Sequence, residues 1–227
     1  MKNVFVIIPF YNEEKVLPFV LNQFNNHNGY KIILVNDGST DNSINICNNY
    51  TFTLLNHKNN LGQGAALRTG ILYAIDNNAD IICTFDSDGQ HNLSDLINMI
   101  DKFQRSNVDI ILGSRFMNTN NFIPIKRKIL LKFAIFFQFI LIGGKFTDVH
   151  NGLRVFSKFA ALKLNLTANK MEHASLFISS ILKNNLVYLE FPVEIIYTKY
   201  TLNKGQKLPQ IIKMGLTLLK LKFMNKI

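Results

Sequence analysis

"FDSDGQHN", residues 85–92, sets two carboxylates, Asp86 and Asp88, one residue apart at the end of an apolar run. The run, Ile81 to Phe85, reads as a buried β-strand. Asp, Gly and Asn are poor strand formers, so the strand is predicted to stop near Asp86. Two ionised carboxylates held this close repel each other unless a cation sits between them. An ordinary turn closed by Asx hydrogen bonds also favours aspartate, so the pair takes its meaning from what surrounds it.

The same grammar extends along the chain. Apolar runs at Val4–Ile8, Lys31–Val35, Phe52–Asn56, Ile81–Phe85 and Val108–Leu112 predict strands. Between them lie helical stretches from about Glu13 to Phe24, Gln63 to Asn77 and Leu93 to Arg105, plus a short helix capped by Ser39 or Thr40. This alternation predicts an α/β fold: a mostly parallel, doubly wound sheet with helices on both faces. After Gly113 the pattern predicts a long apolar helix, a strand near Leu153–Phe156, a helix near Glu172–Lys183, and strands at Val187–Phe191 and Ile195–Tyr197. In open parallel sheets, ligands bind outside the carboxyl ends of the strands. "PFYNEE" follows the first strand, "NDGSTD" the second, "DSDGQH" the fourth and "GSR" the fifth. These clusters are predicted to converge on one crevice.

Composition bounds the possibilities. With 227 residues, 48% of them hydrophobic and 19 of them Phe, the chain suits a packed globular domain and excludes disorder. Cys47 and Cys83 fall inside a predicted helix and strand, consistent with structural thiols in a reducing compartment and without metal-site spacing. The net charge of +10 implies an anionic partner or surface. No acid lies between Asp109 and Asp148, an interval that holds Arg115, Lys126, Arg127, Lys128, Lys132 and Lys145; none follows Glu194 either. A nucleic-acid-binding module explains the charge but not the acidic strand ends, so nucleic acid is not the expected partner. The start, Met1 to Phe10, reads as a strand rather than a secretory signal. The apolar segment Ile129–Ile142 is shorter than the about 20 residues of a spanning helix, so an interfacial or core helix is expected.

Taken together, "VIIPFYNEE", "IILVNDGSTDNS", "NNLGQGAALRTG", "FDSDGQH" and "GSR" resemble family 2 glycosyltransferases of the GT-A fold. The branch they resemble contains the dolichyl-phosphate mannose and polyprenyl-phosphate sugar synthases. "TDVHNGLRVF" and "LEFPVEIIYTKY" are similar to later segments of that branch, so the resemblance spans about residues 3 to 200. It implies one GT-A domain over 1–227, with a nucleotide-sugar half (1–115) and an acceptor half (116–227). The implied activity is inverting transfer of a sugar from a nucleotide-diphosphate donor to polyprenyl phosphate or a polyprenyl-linked glycan. Alternatives are transfer to a sugar hydroxyl of a soluble acceptor, or a nucleotidyltransferase; the latter usually has a Gly-rich loop with a Lys near the first strand, which "PFYNEE" lacks.

The resemblance assigns roles residue by residue. Pro9, Tyr11, Glu13, Asp37, Gly38, Asn60, Gly62, Arg68 and Asp86 are expected around the nucleotide sugar, with Gly62, Gly64 and Gly70 failing the dinucleotide G-x-G-x-x-G pattern. Asp86, Asp88 and Gln90 are the expected ligands of Mg²⁺ or Mn²⁺, hard cations suited to oxygen donors. Asp88, Arg115 and Glu172 are the expected catalytic groups: Arg115 through its fit to phosphate oxygens, Glu172 as a general base where a hydroxyl attacks. Arg115, Asp148 and Arg154 are expected on the acceptor, and His150 is read as a plain loop histidine. Two basic amphipathic segments, Pro124–Ile142 and Pro209–Met224, are expected to lie peripherally on an anionic membrane at its cytoplasmic face; packing on a second subunit in a homo-oligomer is their other use.

Overall fold

Seven runs pair into one sheet, its central strands too hydrophobic to leave either face in water and its edge strands β3 and β7 only partly buried. The computed structural model describes residues 2–25, 27, 29–198, 200, 201, 217, 219 and 222; the tail segment Pro209–Met224 therefore lies outside the described residues but for three positions. In chain order the elements are β1 (Val4–Phe10), α1 (Leu17–Asn22), β2 (Tyr30–Asn36), α2 (Ser43–Cys47), β3 (Thr53–Asn56), α3 (Gln63–Asp76) and β4 (Ile81–Thr84). There follow α4 (Leu93–Arg105), β5 (Ile110–Ser114), α5 (Ile125–Ile142), β6 (Arg154–Ser157), α6 (Lys158–Lys163), α7 (His173–Lys183) and β7 (Tyr188–Pro192).

The strand order is β3-β2-β1-β4-β6-β5-β7. β1 is buried at all seven positions, the signature of a strand covered on both faces. Its alternate side chains feed two cores: Val4, Val6 and Ile8 join Leu96, Met99 and Phe103 of α4, while Phe5 and Ile7 join Ile71 of α3 and Phe177 of α7. The sheet is mostly parallel, as the alternation predicts, with one reversal. β6 runs antiparallel to β4 and to β5, with Arg154 in register with Thr84 on one side and Leu112 on the other. The reversal brings the segment before β6, "DVHNGL", to the carboxyl ends of its neighbours.

Three boundaries depart from the sequence pattern. α1 begins at Leu17 rather than Glu13, with Pro18 in its first turn. α6 follows β6 directly, its N-cap Ser157 accepting from Ala160 N at 3.0 Å. Ile195–Tyr197 is no strand: Ile195 N donates to Asn121 Oδ1 at 2.9 Å and Ile196 N to Gln90 O at 3.0 Å, which fastens this stretch to the strand-end loops.

No described helix is long and apolar enough to cross a membrane. α5 buries only Leu131, Ala134, Gln138 and Leu141. It leaves Ile125, Ile129, Phe133, Phe136, Phe139 and Ile140 exposed, an apolar surface well beyond scattered single residues.

Candidate active site

The carboxyl ends of β1, β2 and β4, the exit from β5 and the segment before β6 surround a cleft of about 630 Å³. Pro9, Tyr11, Glu13, Asp37, Asn60, Gly62, Asp86, Asp88, Gln90, Arg115 and Arg154 line it, which is the greater part of the expected set.

One wall is built around Asp37, just past β2. Its Oδ1 accepts from His57 Nδ1 at 2.8 Å and from Leu61 N at 3.0 Å, and its Oδ2 accepts from Gly62 N at 2.7 Å. The carboxylate can only accept, so Nδ1 carries a proton, and His57 Nε2 in turn lies 2.9 Å from Thr69 Oγ1. A carboxylate oxygen has two lone pairs, so this clasp leaves one on Oδ2 for a ligand. Gly38 (φ +73°) lies behind the wall; a Cβ there would overlap the Asn59–Asn60 backbone. Glu13 is buried, and its Oε2 accepts from Tyr200 OH at 2.7 Å.

The floor carries the paired aspartates. Asp86 Oδ1 accepts from Gln63 Nε2 at 3.0 Å, and Oδ2 lies 3.3 Å from His91 Nε2. Its carboxylate rests on Gly152 with no room for a side chain: a Cβ there would overlap it. Asp88 Oδ1 accepts from Gln90 N at 3.0 Å, the Asx turn of the bland alternative, now inside the cleft. The pair is electrostatically split. Burial opposes ionisation of Asp86, but the hydrogen bond and charge of His91, with Arg154 behind, outweigh it and hold the carboxyl below its ordinary range. Burial, then the charge of Asp86, pushes Asp88 up to about 6.

The opposite wall is cationic. Arg115 Nε donates to Asp148 Oδ2 at 2.6 Å and Nη1 to Tyr197 OH at 3.3 Å, which fixes the guanidinium. Arg127, from α5, lines the cleft with a buried Nε that has no hydrogen-bond partner among the described residues. Arg154 donates through Nε to Asn151 O at 3.2 Å and stacks 4.2 Å from the Phe177 ring. Burial lowers it to about 10, with Asp86 and Asp148 opposing the fall.

Several expectations are corrected. Asp148 does not line the cleft: its oxygens are taken by Arg115 Nε, Arg115 N and His150 N, so it holds the arginine rather than a ligand. Arg68 turns away, its Nη1 donating to Leu166 O at 2.9 Å. Glu172 is the N-cap of α7 and is not among the cleft residues; its neighbour His173 is. A carboxylate at a helix start is stabilised there by the helix dipole. His150 is no plain loop histidine. It lines the cleft, and both ring nitrogens are shielded from solvent without a partner among the described residues, although the residue as a whole is partly exposed. Burial lowers it to about 4, and the guanidinium groups of Arg115, Arg154 and Arg127 act in the same direction.

Asp86 and Asp88 fit a divalent cation by the chemistry of the donor set. Among the described residues no group of three or more His, Cys, Asp or Glu is arranged to hold a metal. Mg²⁺ sites that share their ion with a phosphate substrate commonly use one or two carboxylates and leave the other positions to water and phosphate oxygens. The repulsion that raises Asp88 is what such an ion would relieve.

An open α/β sheet with an acidic floor and a cationic wall at its carboxyl edge is an architecture of the GT-A type. The model of the family "Glycosyl transferase family 2" matches residues 5–164. The chain is 35% identical to UDP-N-acetylglucosamine–dolichyl-phosphate N-acetylglucosaminyltransferase of Methanococcus voltae, over 97% of this chain and 96% of that one. It is 26% identical to polyprenol monophosphomannose synthase of Mycolicibacterium smegmatis, over 72% of this chain and 64% of the other. Among solved structures, glucosyl-3-phosphoglycerate synthase from Mycobacterium tuberculosis, in complex with Mn²⁺, UDP-glucose and phosphoglyceric acid, superposes with a TM-score of 0.75 at 14% identity, covering 99% of this chain and 79% of that one. The protein belongs to glycosyltransferase family 2.

Proposed function

We propose that this enzyme transfers a sugar, with inversion, from a nucleotide-diphosphate donor to the phosphate of a polyprenyl phosphate. One observation carries the reading: a single cleft sets the Asp86/Asp88 pair against the guanidinium groups of Arg115, Arg127 and Arg154. Two anions of different kinds fit such a site, one bridged to carboxylates by a cation and one held directly by arginine forks. The 35% identity to a dolichyl-phosphate N-acetylglucosaminyltransferase over nearly the whole of both chains supports the acceptor class.

Asp86 and Asp88 would hold Mg²⁺ or Mn²⁺, which when bound neutralises charge on the departing diphosphate. Pro9, Tyr11, Asn60 and the spare lone pair of Asp37 receive the nucleoside; a carboxylate there suits the N–H edge of uracil or guanine. Arg115, held by Asp148, and Arg127 position the acceptor phosphate for in-line attack on the anomeric carbon, and His150 offers a neutral N–H beside them. A phosphate oxygen is already ionised and needs no general base, which suits a cleft whose lining omits Glu172. In this division residues 1–115 serve the donor, save Arg115, which joins residues 116–227 on the acceptor, and α5 lies peripherally on the cytoplasmic leaflet.

The test is direct. UDP-N-acetylglucosamine, UDP-glucose and GDP-mannose are each incubated with Mn²⁺, enzyme and a polyprenyl phosphate. One donor is expected to yield a lipid-linked sugar of inverted anomeric configuration. Transfer only to soluble sugar hydroxyls, with none to the lipid, would overturn the proposal.

A further inference from the structure

A second cavity, of about 610 Å³, lies beside α5 and shares no lining residue with the cleft. Arg127, Leu130 and Leu131 face the cleft, whereas Lys128, Lys132, Ile135, Phe136 and Phe139 face this cavity. One helix therefore serves two sites from two of its faces. The cavity's other wall is Phe116 and the turn from Gly143 to Val149, which contributes Phe146 and Lys145. Its described lining contains three lysines and no carboxylate.

A buried polar group marks the interior. Gln138 is 2% exposed, and its Oε1 accepts from Ser175 Oγ at 3.3 Å. Its Nε2 is shielded from solvent and has no hydrogen-bond partner among the described residues. A dry amide donor left unpaired is costly, and native structures rarely keep one without reason. The charged groups of the lining are three ammonium groups. The complementary ligand carries negative charge and offers an apolar chain to Ile135, Phe136, Phe139 and Phe146.

We propose that this cavity binds one anionic phospholipid of the bilayer, its phosphodiester at Lys128, Lys132 and Lys145, an ester carbonyl on Gln138 and an acyl chain along the aromatic wall. The proposal rests on the reading that α5 works at a membrane. It names the bilayer rather than the acceptor as the source because the cavity has its own cations, separate from Arg115 and Arg127. The same helix also exposes Ile125, Ile129, Phe133 and Ile140, an apolar surface continuous with the cavity walls. Occupancy would tie the orientation of α5, and so of Arg127, to lipid charge.

The experiment uses the full chain with monomeric dihexanoyl-phosphatidylglycerol and dihexanoyl-phosphatidylcholine, read by calorimetry and native mass spectrometry. One phosphatidylglycerol is expected to bind at least tenfold more tightly than phosphatidylcholine. Lys128→Gln/Lys132→Gln/Lys145→Gln is expected to lose that preference, and Gln138→Leu to weaken both lipids, with donor hydrolysis unchanged in the lysine variant. Saturating nucleotide and farnesyl phosphate are expected to leave phosphatidylglycerol binding intact. Equal binding of the two phospholipids, or a preference that survives in the lysine variant, overturns the proposal. Competition by farnesyl phosphate also overturns it and makes the cavity the seat of the acceptor's own tail. If phosphatidylglycerol binds as stated while no sugar reaches polyprenyl phosphate, the functional reading falls and the lipid site stands.

Discussion

The two walls of the cleft are held by different means. On the acidic side, the aspartates have partners within 25 residues: Asp37 is clasped by His57, Leu61 and Gly62, Asp86 by Gln63 and His91, and Asp88 by Gln90, while Glu13 is held by Tyr200, 187 residues on. On the cationic side, partners come from afar: Arg115 from Asp148, 33 residues on, and Tyr197, 82 residues on. The three aspartates are thus set by nearer partners than Arg115, whose place is a product of the tertiary fold. Damage to the first should therefore abolish chemistry while sparing the fold, whereas damage to the second should also cost positioning and stability.

The sharpest contrast comes from Asp88→Ala. On the proposed reading it removes a cation ligand worth several kcal/mol of leaving-group stabilisation, so transfer should fall about 10³-fold or more. The same variant should unfold at a higher temperature than the wild type in cation-free buffer near pH 7, because a desolvated carboxylate beside Asp86 is lost. Full transfer by this variant in EDTA would end the metal-dependent reading. Next in size is Gly152→Ala, whose Cβ must displace the Asp86 carboxylate. Misplacement by an ångström costs about 10²-fold, and Mn²⁺ titration should show weakened binding in a folded protein. Arg115→Lys is smaller. A point charge cannot reproduce the fork, so KM for the acceptor should rise about tenfold with donor hydrolysis unchanged; equal loss in both assays would move Arg115 to the donor.

The smallest effect concerns pH. His150 and His173 are both lowered from 6.5 to about 4, chiefly by burial, with Arg154 acting on each in the same direction. Between those values the unfolded chain binds protons that the native chain does not, so their contribution is complete above pH 6.5 and is lost as pH falls toward 4. Each loss has a ceiling of about 1.4 kcal/mol per pH unit, and both residues are partly exposed, so less is expected. Urea midpoints should fall from pH 7 to pH 5 and flatten in His150→Asn and His173→Asn. Asp88, raised to about 6, works in the opposite sense over this window, so a wild-type profile no steeper than those of the two histidine variants would show that neither ring is shielded.

The same contrast explains what could be read from the sequence. β1 to β5 and the acidic clusters were legible because apolar runs, Asp-Gly turns and strand ends are local signals. The antiparallel entry of β6 was not, since nothing within "LRVF" states which way a strand runs. Asp148 looked like a ligand group because its partner Arg115 is 33 residues away. Arg127 was hidden between Lys126 and Lys128, three like charges of which only the middle one lines the cleft. His150 looked idle because its surroundings, Arg115, Arg154 and Arg127, meet only in the folded sheet. Glu172 carries a local signal that two roles share, since a carboxylate at a helix start is as readily a charge on the helix dipole as a base.

The placement of β6 has a consequence for how the molecule is made. β4 and β5 are consecutive along the chain, yet β6, 40 residues further on (Ser114 to Arg154), lies between them. As the chain leaves the ribosome, β4 therefore presents a bare edge until residue 154 has emerged, and β5 has no neighbour to join. Such an unpaired edge invites pairing with other chains. A fragment ending at residue 115 would carry Asp37, Asp86 and Asp88 on an unfinished sheet, so the cleft floor depends on residues that follow it to close the edge of β4.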